Sequence, residues 1–305
     1  MNKNFVETSE DCFKNIEDFP YKANYMKGNL GLPKEYDNFK ISYIDENNNG
    51  KRGVLLFIHG HPTWSYLWRH LIPFGIKYDY RVICIDLPGF GRSDKPLKKD
   101  FFNFVNYRNV ILSFIKNLSL KNITLFLHEW GGTLGLTLPM DQKNIYNGIV
   151  LFNAYLGTSI SNITEGYKSW INTNIETEEL NIRALMARTN RILNLSECNA
   201  YEAPFSEKKQ KLSLRMLPSI FPTNSDMDGY DICNKALNWW EENSLSKVLV
   251  IGGGRDPLIT LEKMKVLSNI ISTDEQTHVI NNAGHFVPEW GMEFGEELFE
   301  QLILE

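Results

Sequence analysis

Short apolar runs, most of them uninterrupted by polar residues, recur along this chain with longer, more mixed stretches between them. FKISYID near Phe39, VLLFIH from Val54, RVICID from Arg81, ITLFLH from Ile123, GIVLFN from Gly148, KVLVIG from Lys247 and THVI from Thr277 read as strands. Several are apolar at successive rather than alternate positions, as expected for strands covered on both faces. Ahead of the fourth run, Val105, Ile111, Leu112, Ile115 and Leu118 follow a helical period. Strands alternating with helices predict a mostly parallel sheet flanked by helices. From about Tyr155 to Pro222 the alternation stops, leaving helix-like patches with scattered Trp, Tyr and Phe, and the sheet resumes at KVLVIG. An insertion at that place reads as a lid over the strand ends, where ligands bind in open α/β sheets. The expected division is a core of residues 1–154 and 223–305 with a helical cap of residues 155–222.

A chain of 305 residues fits one α/β domain with an inserted subdomain better than two independent domains. Its formal net charge of -5 argues against a nucleic acid or an anionic membrane as partner, because both favour a basic surface. A small apolar substrate stays open. The amino-terminal MNKNFVETSEDCFKN lacks the apolar stretch of a signal peptide, and no later run approaches membrane-spanning length, so a cytoplasmic protein is expected. Cys12, Cys84, Cys198 and Cys233 form no CxxC pair and read as reduced thiols. No metal or cofactor is expected. A monomer is the expected state, with an oligomer not excluded.

ITLFLHEWGGTLGL reads as a buried strand, a sharp turn at Glu129 and a helix opening on Gly131 and Gly132. Such an elbow pushes its central residue out of the strand end, and small neighbours let strand and helix approach closely. Pro139 ends the following helix or lies near its end. Asp256 in IGGGRDPLIT and His285 in NNAGHFVPEW each follow a strand, which gives the order elbow residue, acid, histidine. Nucleophile, acid and histidine follow one another in that order in α/β-hydrolase triads. Singly, an Asp after Gly is more often a turn and a lone His more often a satisfied polar residue; in this order, each after a strand, they predict a triad. In HGHPTWSYLW, a strand ending at His59 runs into a tight loop whose His61 amide, with that of Trp130, can form an oxyanion hole. An indole is only a donor, so Trp130 and Trp170, the latter in EGYKSWINTN, suit a weakly basic anion such as a halide. Asp86, Asp94, Trp239 and Trp240 read as structural.

Together HPTWSYLWR, GFGRSDKP, NITLFLHEWGGTLGLTLPM, AYEAPF and NAGHFVPEWG resemble the haloalkane dehalogenases, most closely the Xanthobacter-type subgroup. The resemblance runs from about Cys12 to the carboxyl terminus. It implies an α/β-hydrolase fold with a helical cap, Glu129 as nucleophile, Trp130 and Trp170 as halide donors, His285 as base and Asp256 as its orienting acid, with a haloalkane or related electrophile and a halide ion as the partners. The chain departs from the family in having Glu129 where an aspartate stands and His61 where close relatives have Glu or Asn, and its Tyr155 to Trp170 segment is shorter. The extra methylene moves the carboxylate by about 1.5 Å, and a misplacement of about 1 Å can cost roughly 100-fold in rate. Three alternatives stay open: an epoxide hydrolase using lid tyrosines such as Tyr155, Tyr167 or Tyr201, a lyase or cyclase with Glu129 as general base, and a non-catalytic relative.

Overall fold

The computed structural model describes residues 4–14, 16–159, 162–188, 191–272 and 277–303. Among them the chain forms the strands β1 (Phe5–Val6), β2 (Asn24–Lys27), β3 (Lys40–Glu46), β4 (Val54–Ile58), β5 (Arg81–Ile85), β6 (Lys95–Pro96), β7 (Ile123–His128), β8 (Tyr146–Phe152), β9 (Lys247–Gly253) and β10 (Thr277–Ile280). All but β1 and β6, which pair with each other, belong to one sheet in the order β10-β9-β8-β7-β4-β5-β3-β2. β2 and β3 run antiparallel to their neighbours and the rest are parallel. Every residue of β4 and β7 is buried, which explains why neither sequence alternates.

All seven strands expected from the apolar runs are present, with β8 starting at Tyr146 rather than Gly148. β2 was not foreseen. It is an edge strand whose NYMK residues are half-buried or exposed, so no apolar run marks it. The helix Phe104–Asn117 buries Val110, Ile111 and Phe114 and is capped by Asn103, whose side chain accepts the Asn106 N–H at 2.7 Å. The elbow helix is short, Trp130–Gly135, and stops ahead of Pro139.

Strand order fixes where a site can form. From β4 the chain passes to β5 on one side, then crosses to β7 on the other and continues outward through β8, β9 and β10. The carboxyl ends of β4 and β7 therefore lie side by side where the winding reverses, the usual place for a ligand crevice. Ile58 lies opposite Leu127, so the loops opening at His59 and Glu129 start level with each other.

Between β8 and β9 the chain forms the helices Glu165–Glu176, Ile182–Met186, Leu195–Glu202, Leu212–Ser219 and Tyr230–Glu242. Aromatic rings fasten the first of these over the elbow: Tyr167 meets Tyr155 at 5.2 Å and Phe221 at 5.1 Å, and Phe221 meets Trp130 at 5.6 Å. A buried ionic cluster fastens the third. Arg69 donates to both oxygens of Glu289, at 2.5 and 2.8 Å, and to Glu197 at 2.8 Å, while Tyr201 donates to Glu289. Asp86 accepts the amides of Ser65 and Arg92, and Asp94 accepts that of Lys40, so both acids tie loops to the sheet. The indole N–H of Trp240 donates to the Leu136 carbonyl at 2.8 Å.

The Arg69 side chain is fully buried, and its removal takes two hydrogen bonds from Glu289, 1% exposed, leaving Arg191 at 3.4 Å as a more distant guanidinium. Arg69→Met is expected to destabilise the fold by about 3–5 kcal/mol, measured by urea unfolding. A loss below about 0.5 kcal/mol, the range of ordinary surface changes, would show that the cluster contributes no more than a surface pair.

Candidate active site

Glu129 sits at the turn between β7 and the elbow helix with φ 46° and ψ −112°, a conformation costing a non-glycine residue about 1–3 kcal/mol. The turn is held from both sides. The Glu129 amide donates to the Asn153 carbonyl at 3.2 Å, and its own carbonyl accepts the Gly132 and Thr133 amides at 2.8 and 3.0 Å. Two glycines allow the close approach. A Cβ on Gly131 would lie 2.0 Å from the Ile58 carbonyl oxygen, and one on Gly60 would lie 2.6 Å from the Glu129 Cβ.

The carboxylate is buried, and each oxygen has its own donors. Oε2 accepts the amide N–H of His61 at 2.8 Å and that of Trp130 at 2.6 Å; Oε1 accepts the Tyr167 hydroxyl at 2.6 Å. Burial raises the Glu129 pKa above the usual carboxylate value, and the pull of His285 and of these three donors offsets that only in part. The His61 ring points away from Glu129. Its Nε2 meets the Leu214 carbonyl at 2.9 Å, and the ring packs edge-on to Trp170 at 5.6 Å. The indole N–H groups of Trp130 and Trp170 are buried and meet no acceptor among the described residues.

His285 Nδ1 lies 2.9 Å from Asp256 Oδ2. Asp256 also accepts the Leu258 amide at 2.7 Å and the side-chain amide of Asn153, whose own Oδ1 accepts the Gly253 amide at 2.8 Å. Burial would raise the Asp256 pKa; the imidazole charge, its hydrogen bond and those of Asn153 and Leu258 outweigh burial and lower it. Burial would likewise lower His285, but the Asp256 charge and hydrogen bond, helped by Glu129, raise it above the ordinary imidazole value. With Nδ1–H directed at Asp256, a neutral ring presents a lone pair on Nε2, which is buried without a partner. His128 braces the same loop, its Nε2 lying 2.9 Å from the His285 carbonyl.

The structure therefore brings together all six residues singled out in the sequence. His61, Trp130 and Glu129 share direct hydrogen bonds, Asp256 and His285 form a pair, and Trp170 and His285 line one cavity of about 210 Å³ with Leu185, Leu258 and Phe286. Sequence reading did not assign Asn153, His128 or the contact of Tyr167 with Glu129. A polar residue ending a buried apolar strand was the available signal for Asn153. Tyr167 stands three residues before Trp170, hence on the same helix face.

Residues 53–292 match the family described as the α/β hydrolase fold. A haloalkane dehalogenase of Psychrobacter cryohalolentis is 30% identical over 303 residues, spanning 98% of this chain and 96% of that protein. One of Mycobacterium marinum is 30% identical and spans 98% of each. Among solved structures, the tetrameric haloalkane dehalogenase DpaA of Paraglaciecola agarilytica superposes with a TM-score of 0.91 at 34% identity, covering 96% of this chain and 97% of that one.

The opposing influences on His285 can be separated. Its imidazole should titrate above 6.5 by nitrogen-15 NMR, and below 6.5 in Asp256→Asn, where burial becomes the larger effect. An unchanged titration in the variant would mean that Asp256 does not set the charge of the ring.

Proposed function

The chain belongs to the haloalkane dehalogenase family of α/β hydrolases, and we propose that Glu129 is the nucleophile of its carbon–halogen cleavage. The protein is a haloalkane dehalogenase-like hydrolase. In our reading, Oε1 attacks the carbon bearing the halogen, and the halide departs with the bonding pair toward the indole N–H groups of Trp130 and Trp170. His285 Nε2 then takes a proton from water, whose oxygen attacks the carboxyl carbon of the ester. The developing charge falls on Oε2, already at the His61 and Trp130 amides. Asp256 keeps the ring oriented and stabilises the imidazolium.

The observation that carries this reading is a pair of buried indole donors without acceptors among the described residues, one on the residue next to Glu129 and the other on a ring packed against His61, whose amide Glu129 accepts. A donor-only group left unpaired in an apolar pocket is costly unless an anion meets it during the reaction. The three donors around Glu129 support a glutamate built into the site, with the extra methylene taken up in its seat. An epoxide reading is weaker because the lid tyrosines already have acceptors: Tyr155 donates to the Leu258 carbonyl, Tyr201 to Glu289, and Tyr167 to Glu129 Oε1.

We take residues 155–222 as the cap, since Tyr167 and Trp170 reach the elbow from that segment. Every group in the reaction comes from one chain, so it does not require the tetrameric assembly of the Paraglaciecola relative. The thiols, free among the described residues, suit a cytoplasmic setting, and no helix among these residues is long and apolar enough to cross a membrane.

A panel of chloro-, bromo- and iodoalkanes should release halide with the wild-type chain and at least about 1,000-fold more slowly with Glu129→Gln. Equal release by both would remove Glu129 from the chemistry. In His285→Gln, mass spectrometry should detect the alkyl adduct on Glu129. Where ester hydrolysis limits turnover, kcat should fall about tenfold per pH unit as pH drops through the His285 pKa, which Asp256 still raises once Glu129 is esterified and uncharged, because protonation removes the base. An acid limb lying below the ordinary imidazole value would contradict this assignment.

A further inference from the structure

The two oxygens of Glu129 have different fates in the reaction proposed above, on which this inference rests. Oε2, held by two amides, becomes the carbonyl oxygen of the ester. Oε1 becomes the bridging oxygen bonded to the substrate carbon. Attack of water on the carboxyl carbon breaks the bond from that carbon to Oε1, so the product alcohol leaves with Oε1. An alkoxide is a poor leaving group and must take up a proton as it departs.

We propose that Tyr167 is a further catalytic residue of the ester-hydrolysis step, its hydroxyl hydrogen-bonding Oε1 and giving it the proton as the carbon–oxygen bond breaks. The contact that carries this is the 2.6 Å hydrogen bond from the Tyr167 hydroxyl to that oxygen. Tyr167 is 1% exposed, so water does not readily replace it as donor. Its place is fixed by the chain around it. Thr164 caps the helix by accepting the Tyr167 amide at 3.1 Å and donates its own hydroxyl to the Leu258 carbonyl at 2.5 Å, while the Leu258 amide is held by Asp256. The phenol is thus tied to the loop that orients His285. Burial, with the nearby carboxylate, raises its pKa well above that of an ordinary phenol, so it carries its proton throughout the neutral range.

The proton balance closes. Water gives one proton to His285 and its oxygen bonds to the carboxyl carbon, with the carbonyl pair moving onto Oε2. Collapse restores that carbonyl, breaks the bond to Oε1, and leaves the alcohol carrying the Tyr167 proton. Glu129 is now a carboxylic acid beside a phenolate. It returns its remaining proton to Tyr167, which restores the starting hydrogen bond, and the imidazolium releases its proton to solvent.

Tyr167→Phe keeps the ring packing and removes only the donor. Pre-steady-state kinetics should show a halide burst approaching one per chain followed by slow turnover, with the alkyl ester on Glu129 visible by mass spectrometry. Steady-state kcat should fall roughly 100-fold, and by more than kcat/KM, which reports only the steps through displacement, where loss of the phenol changes the hydrogen bonding of the attacking Oε1. Loss of kcat/KM without ester accumulation would overturn the proposal, as would an unchanged kcat. If Tyr167→Phe fails to fold, fluorotyrosine at position 167 decides: the rate of ester decay should change with phenol acidity, and a rate independent of it overturns the role. A wild-type chain that releases no halide overturns the nucleophile assignment as well, whereas halide release with normal ester decay in Tyr167→Phe overturns this proposal alone.

Discussion

A carboxylate sealed among aromatic rings is tolerated only if donors replace the water it has lost, and the rest of this structure is arranged around meeting that demand at Glu129. Oε2 takes two amides that exist because β4 and β7 end side by side, and Oε1 takes a phenol that exists because a helix is inserted after β8. Neither half suffices alone. Without the sheet's reversal of winding the His61 amide would not face the elbow, and without the insertion one oxygen would be left buried and unpaired. The strained turn at Glu129 is kept because it aims the carboxylate into the space between these sources.

The insertion serves the site from one helix. Tyr167 and Trp170 lie three residues apart in Glu165–Glu176, so they share a face and descend on the elbow together. What holds the insertion is mixed: ring contacts from Tyr167 to Tyr155 and Phe221 near the site, and farther along the chain the buried Arg69 cluster reaching Glu197 and Tyr201. Apolar contact supplies much of the attraction, while the ionic cluster fixes geometry, because Arg69 meets both Glu289 oxygens in one orientation. An insertion whose rings could slide would carry the Trp170 indole and the Tyr167 phenol with it.

How far the sequence revealed this depended on the range of the interaction. The strands were legible because a strand buried on both faces writes an apolar run into consecutive residues, and Glu129, Asp256 and His285 were legible because each follows such a run. β2 was silent for the converse reason, as an edge strand with no buried stripe. The bond between Tyr167 and Glu129 spans 38 residues, that between Asn153 and Asp256 spans 103, and that between Arg69 and Glu289 spans 220. The one local mark of Tyr167 among the tyrosines of the insertion is its spacing of three residues from Trp170, which does not name its partner. Only the placement of one helix over one turn selects it. Arg69 shows the same limit, since an arginine in SYLWR reads as surface until the fold closes over it.

Charge accounting explains why so dry a site suits this chemistry. The proposed reaction starts with Glu129 and Asp256 ionised and His285 neutral, and both carboxylates raise the His285 pKa. The displacement we propose creates no net charge. It moves one negative charge from the Glu129 carboxylate, whose two oxygens share three donors, to the halide beside two unpaired indoles. A medium of low dielectric penalises separation of charge far more than its transfer between two prepared seats. The glutamate's greater length changes where the first seat lies and leaves the balance intact. The proposed ester step differs, since it would generate an imidazolium and an oxyanion at once, and there the fixed groups matter most: Asp256 beside the ring, two amides at Oε2, and a phenol at Oε1.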